Sequence, residues 1–324
     1  MMDSVLTWVA SSLTLGTIIL FGALGEILTE KSGHLNLGVP GMMFFGAFAG
    51  FAAVLKYELA NRGQTSDFAL VIIPLVVGFA AAAALGLLYS FFTVTLKANQ
   101  NVTGLAITFL GVGLGSFYGQ RILQAAKMGY GRTAATAIFT DSLFGKDFDI
   151  GFMVIVGIAV AILLQLFLSK TRKGLNLRAV GENPATADAA GINVSLNKYM
   201  ATCVGAGICG IGGAMYIGHL GWTTNNNIEA LGWLAVALVI FATWKPVNAV
   251  WGSYLFALFY NFKTYFSSMF NVTLPRDIST AIGDLLQMIP YVVTIIILIL
   301  IAYRKKRENQ PPAALGLSYF REER

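Results

Sequence analysis

Between Leu24 and Met42 the sequence reads LGEILTEKSGHLNLGVPGM, a concentration of polar chemistry set between two apolar runs. Glu26, Glu30, Lys31, His34 and Asn36 crowd this gap, and Ser32, Gly33, Gly38, Pro40 and Gly41 interrupt regular helix. Groups of this kind beside a bilayer can hydrate or hydrogen-bond a polar solute, and irregular backbone at that depth is tolerated only when buried in protein or lining water. Two readings follow: a plain cytoplasmic loop, or a broken-helix element beside a translocation path. A second constellation lies in the run Val250–Phe270, where Asn261 and Lys263 sit among Phe259, Tyr260, Phe262, Tyr265 and Phe266. An ionisable residue inside such a run marks a functional position by default, although Lys263 can also snorkel to an interface. The aromatic side chains can stack on a planar ligand, but at such positions they more often face lipid or core.

Covalent chemistry has no comparable support. The sequence contains no G-x-x-x-x-G-K-[ST] phosphate loop, no H-E-x-x-H and no G-x-S-x-G, so no catalytic residue is assigned and the chain is expected not to be an enzyme. His34 and His219 lack nearby acidic or thiol partners, which argues against a zinc site, and no cofactor is implied. Cys203 and Cys209 fall six residues apart on one expected helix, on different faces, and read as packed thiols.

The segment Lys170–Lys198, KTRKGLNLRAVGENPATADAAGINVSLNK, carries a different signal. Asn183 is a good N-cap, Pro184 suits the first helical position, and Gly191 suits a left-handed C′ position. Ala185, Thr186, Ala187, Asp188, Ala189 and Ala190 give barely two turns, too few for a helix stable alone. An Ala-lined helix of this kind is expected to drop into a groove of another protein, so the chain reads as a membrane component driven by a soluble partner.

The elements that must position these residues are transmembrane. Of 324 residues 56% are hydrophobic and only 12% charged, where a soluble domain carries about 25% charged residues. Runs long enough to cross a hydrocarbon core predict an all-α polytopic bundle of about nine spans, with one or two broken helices. The spans are Val5–Ile27, Gly38–Leu55, Phe68–Leu96, Val102–Tyr118, Gly151–Ser169, Tyr199–Leu220, Leu231–Thr243, Val250–Phe270 and Met288–Tyr303. Leu231–Thr243 is short enough for a half-helix, and Gly38–Leu55 opens on helix breakers and is expected to be broken as well. The first run lacks a basic n-region and a cleavage site, so it reads as a retained helix.

Residues 1–324 are expected to form a single transmembrane domain with a loop at 170–198 and a tail at 304–324. Both segments are rich in Lys and Arg and four spans separate them, so both are placed in the cytoplasm. The net charge of +6 is thereby explained by orientation, not by nucleic-acid binding. Small residues at four-residue spacing, Gly46 and Gly50, Gly111 and Gly115, and Ala201, Gly205, Cys209 and Gly213, predict close helix packing within the chain in preference to a subunit interface.

Four blocks of this sequence resemble permease subunits of bacterial ABC importers, the superfamily serving ribose, branched-chain amino acids and nucleosides. They are Thr29–Gly38 followed by Pro40 and Gly41, then Ala98–Ala106, then Gly181–Ala185 with Ala190–Ile192, and finally Ala237–Phe241 with Trp244 and Pro246. The resemblance is strongest to the nucleoside branch and covers the chain from about Gly25 to Ser253. Pro40 departs from the pattern, since relatives usually carry an acidic residue before the glycine. The resemblance implies that Gly181, Glu182, Asn183, Pro184, Ala185, Ala187, Ala190 and Gly191 couple to a cytoplasmic ATP-binding subunit. It also implies a second permease subunit, expected to be non-identical, and an extracytoplasmic substrate-binding lipoprotein or periplasmic protein. The setting would be the lipid of a bacterial cell membrane. Asn36, Asn101, Asn261 and Lys263 are the candidates for the translocation path. The alternatives are a permease for a simple sugar such as ribose, or a self-contained secondary transporter, which would need mid-span carboxylates or a sodium site.

Overall fold

A computed structural model of the chain describes residues 2–61, 66–126, 151–220, 227–270, 276–304 and 310–320. Every regular element among them is helical. In chain order these are α1 (Met2–Glu30), α2 (Val39–Ala60), α3 (Asp67–Ser90, prolonged by a π-helical turn Phe91–Thr95) and α4 (Gln100–Ala126). After them come α5 (Phe152–Lys170), α6 (Arg172–Glu182), α7 (Pro184–Ala189) and α8 (Val194–Leu220). The last three are α9 (Ile228–Phe241), α10 (Pro246–Phe270) and α11 (Arg276–Arg304).

Among the described residues, six helical stretches are long and apolar enough to cross a membrane: Val5–Glu30, Val39–Ala60, Asp67–Thr95, Gln100–Gly119, Phe152–Lys170 and Val194–His219. They correspond to six of the nine anticipated spans. The anticipated half-helix appears as α9, which has 14 residues. The runs expected at Val250–Phe270 and Met288–Tyr303 fall in α10 and α11, which are not among the six. One expectation is corrected. The Gly38–Leu55 run is not broken, because α2 is continuous from Val39 and Pro40 lies in its first two positions. Proline sacrifices no helix bond there, since that N–H has no intrahelical partner.

Helix α8 packs against α1, α2 and α3, and its small residues explain why it can. A Cβ built on Gly46 would lie 2.6 Å from the Gly210 Cα, one on Gly50 2.9 Å from the Pro74 carbonyl oxygen, and one on Gly205 would run into the Gly25 carbonyl oxygen. The four-residue stripes therefore bring backbones together inside this chain, as dispersion-driven packing in a bilayer requires. Cys209 is buried and donates to the Gly22 carbonyl at 3.3 Å, while Cys203 is half-buried, and both thiols are free. The outer surface carries Phe109, Leu163 and Trp251 well exposed, a coat suited to acyl chains.

Candidate functional site

The four sequence blocks converge on one junction at the end of α1. Past Glu30 the backbone turns through Gly33, whose φ of +86° is a conformation glycine adopts without a Cβ clash. Residues 34–38 then double back along the last turns of α1. The Asn36 N–H donates to Glu26 Oε1 at 3.1 Å, and the Gly38 N–H donates to Asn36 Oδ1 at 2.9 Å. Asn36 Nδ2 lies 3.4 Å from Met42 Sδ. Asn36 is 1% exposed, His34 1% and Ser32 fully buried, so this is not a solvated loop but irregular backbone held inside protein.

Neighbouring helices supply further partners of this backbone, as buried peptide groups demand. Gln100, at the start of α4, accepts from the Leu35 N–H at 2.8 Å through Oε1 and donates to the Leu317 carbonyl at 3.3 Å through Nε2. Tyr89 of α3 donates to the Leu35 carbonyl at 2.8 Å, and Thr108 of α4 donates to the Leu37 carbonyl at 2.8 Å. From the fourth block, Trp244 donates its indole N–H to Glu30 Oε2. Thr243 and Trp244 reach that position through two consecutive left-handed residues, with φ of +52° and +55°.

The third block meets the first directly. A Cβ on Gly181 would strike the carbonyl oxygen of Lys31 and come within 3.2 Å of the Gly33 nitrogen, so α6 crosses the turn at backbone contact. The Ala314 N–H donates to the Gly181 carbonyl at 3.0 Å and the Gly316 N–H to the Gly33 carbonyl at 3.2 Å, so a segment beyond α11 straps the crossing. The Tyr319 hydroxyl donates to Asp188 Oδ2 at 2.9 Å, extending the strap to α7.

The caps anticipated for α7 are present. Asn183 Oδ1 accepts from the Thr186 N–H at 3.0 Å, Pro184 opens the helix, and Gly191 takes a φ of +81°. The Ile192 N–H closes back to the Ala187 carbonyl at 3.0 Å. One alanine of the lined face, however, points inward. Ala187 is 3% exposed and packs with Val180 and Val194, so the helix is seated on its own chain through that residue. The face offered outward consists of Thr186, Ala189 and Ala190, with Glu182, Asn183 and Gly191 beside it, while Ala185 is half-buried.

Charge at the junction is finely set. Burial, then the neighbouring Arg178, lower the Lys31 ammonium to about 8. Burial and the Lys198 ammonium hold the His34 imidazole well below its usual range, so it is neutral at pH 7. Glu26 Oε2, fully buried, has no hydrogen-bond partner among the described residues. Nothing in the junction provides an activated nucleophile with a base. Its chemistry is that of a mechanical joint, in which buried polar bonds hold irregular backbone in register.

Of the three path candidates whose side chains are described, the structure places only Asn36 in the junction. Asn101 is exposed on the first turn of α4, and its neighbour Gln100 is the buried amide. Asn261 is half-buried on α10 and donates to Ser12 Oγ at 3.4 Å. Ser12 lies fourteen residues before Glu26 on α1, about 21 Å along the axis. Lys263 belongs to α10, but its side chain lies outside the described residues. Sequence reasoning missed Gln100 and the strap. The strap had a legible signal, since PPAALGLSYF is too apolar for a solvated tail.

Comparison with known proteins gives a consistent result. The model of a family described as branched-chain amino acid transport system, permease component, matches residues 8–302. The nucleoside ABC transporter permease protein NupC of Lactococcus lactis is 30% identical over 97% of this chain and 96% of its own length. The guanosine ABC transporter permease protein NupQ of Bacillus subtilis is 29% identical over 90% of each chain. A Haloferax volcanii protein named as a glucose ABC transporter permease, TsgC13, is 33% identical over 75% of this chain and 72% of its own. No solved structure gives a significant match.

Proposed function

The chain belongs to the family of branched-chain amino acid transport system permease components, and from that premise we propose that it is a membrane subunit of an ATP-driven importer of nucleosides. It is a multi-pass membrane protein of the permease class, which works with an ATP-binding subunit and a substrate-binding protein. The finer reading is ours. Residues 1–324 act as one domain of about nine spans that forms half of the path, opposite a second, non-identical permease. The loop at 170–198 and the strap at 310–320 face the cytoplasm, where α7 meets the ATPase.

One observation carries the coupling role. A capped helix of six residues, without stability of its own, is wired by the Gly181–Gly33 crossing to buried backbone between α1 and α2. Movement imposed on α7 is thereby delivered to two membrane helices at once. Nucleosides are favoured as cargo by the near full-length similarity to NupC and NupQ. The glucose name of TsgC13 keeps a sugar as the second reading. Asn36, Asn101, Asn261 and Lys263 are retained as path candidates, with Asn36 serving chiefly to hold the turn.

The test is reconstitution. The permease pair purified with its ATP-binding subunit should hydrolyse ATP faster when the substrate-binding protein is loaded with guanosine, and should not respond to the glucose-loaded form. Guanosine uptake driven by this chain in the absence of any ATPase would overturn the reading in favour of a secondary transporter.

A further inference from the structure

A cavity of about 520 Å³ opens behind the coupling helix, between the end of α7, the first turn of α8, the end of the π-helical turn and the strap. Its wall includes His34, Lys97, Asp188, Ser195, Lys198 and Tyr319. Lys198 is the informative member. It is 3% exposed, and among the described residues no carboxylate pairs with it. The cavity's own acid, Asp188, accepts instead from the Tyr319 hydroxyl at 2.9 Å. A buried ammonium without a counter-charge is costly, and structures retain one where an anion completes it.

The surrounding groups have the matching sign. Val194 and Ser195 open α8, a helix of 27 residues, so first-turn N–H groups and the positive end of the helix dipole border the cavity. Asn193 Oδ1 caps the Leu196 N–H at 2.9 Å and leaves the two preceding amides to other partners. Lys97 adds a second ammonium, held 4.1 Å above the Phe320 ring at a left-handed residue of φ +54°. His34, whose Nδ1 lies 3.4 Å from the Thr202 hydroxyl, is neutral and brings no negative charge to the wall.

We propose that this cavity is an anion site that takes a phosphate group, with Lys198, Lys97 and the N-terminus of α8 as its ligands. The site is independent of the transported substrate and lies outside the junction's own hydrogen bonds. The strap reaches over it through Tyr319, which favours a small group over a protruding side chain of a partner protein. Two sources present the same chemistry. One is a free phosphate ester of the cytoplasm; the other is a phospholipid headgroup, since Leu96, Leu196 and Met200 beside the cavity are 56 to 58% exposed.

The experiment uses the full chain, purified in detergent or in nanodiscs, and reads its melting midpoint. Inorganic phosphate should raise the midpoint saturably if the source is a soluble ester. Replacing phosphatidylcholine with phosphatidylglycerol in the nanodisc should raise it if the source is a headgroup. In either arm Lys198→Met should weaken the response roughly tenfold or more, the loss expected for one charge-assisted contact. Without ligand the same variant should melt no lower than the wild type, because it removes an uncompensated buried charge. Ser195→Asp supplies an internal anion and should abolish the response while keeping the fold. The proposal is overturned if neither phosphate nor phosphatidylglycerol moves the wild type. It is also overturned if Lys198→Met responds fully, or if that variant loses only its hold on the ATP-binding subunit, which would assign the cavity to a partner's carboxylate.

Discussion

Substituting alanine at Gly181 tests whether the backbone crossing transmits force. The new Cβ would collide with the Lys31 carbonyl oxygen and sit 3.0 Å from the Lys31 carbonyl carbon, both backbone atoms that cannot rotate away. Overpacking of this kind costs about 1–3 kcal/mol, while replacing glycine by alanine within a helix returns about 0.5–1 kcal/mol. The balance spans about 0–2.5 kcal/mol, and its middle, about 1 kcal/mol, lowers the ratio of seated to unseated junction about 5-fold. Gly113→Ala is the matched control, because the added methyl there meets nothing within 4 Å. Melting midpoints and substrate uptake, measured on the reconstituted importer, should fall for Gly181→Ala and hold or rise slightly for Gly113→Ala. ATP hydrolysis in Gly181→Ala should persist while uptake drops. Wild-type uptake with an unchanged midpoint in that variant would show that the crossing bears no load.

Three further outcomes follow from the same geometry. Thr186→Arg, on the outward face of α7, should abolish uptake without lowering the midpoint, whereas Ala187→Arg should destabilise by at least about 1–3 kcal/mol by prising α7 off Val180 and Val194; equal midpoints would refute the assignment of faces. Asn36→Leu should lower stability and uptake together, by about 1–3 kcal/mol, because the Gly38 N–H loses its acceptor in a buried site, and reduced uptake at an unchanged midpoint would instead reveal a path role. The Lys31 ammonium titrates at about 8 when folded against 10.5 ordinarily, so the unfolded chain binds more protons across that interval and stability should rise from about pH 8 to 10.5. Lys31→Met should flatten that rise, and a midpoint that rises equally in both proteins would discard Lys31 as its cause.

Local pattern carried the parts of this protein that local physics decides. Asn183, Pro184 and Gly191 bound α7 as capping chemistry requires, and the apolar runs became helices because hydrocarbon leaves the backbone no other partner. The half-helix was legible from the brevity of the Leu231–Thr243 run. What pattern could not carry was depth and facing. Gln100 and Asn101 are adjacent amides with the same hydrogen-bonding groups, and the distant Leu35 and Leu317 decide which one is buried. Ala187 and Ala189 read alike in a six-residue helix, yet Val180 and Val194 claim the first. Gly38 and Pro40 looked like a break because helix starts and helix breaks use the same residues.

The strap has a consequence for how the protein is made. Residues 310–320 follow α11 in the chain, so they leave the ribosome after all the described helices. Until they arrive, the carbonyls of Gly33 and Gly181 lack their partners and Asp188 has no tyrosine to hold. A nascent or truncated chain can thus insert its helices in order and still present an unfinished dock. If α7 docks the ATP-binding subunit as proposed, that subunit would meet a complete surface only on chains read through to the strap, which would make translation a checkpoint for assembly. A ribosome that stalls in α11 would then yield an inserted protein whose proposed dock for the motor is incomplete.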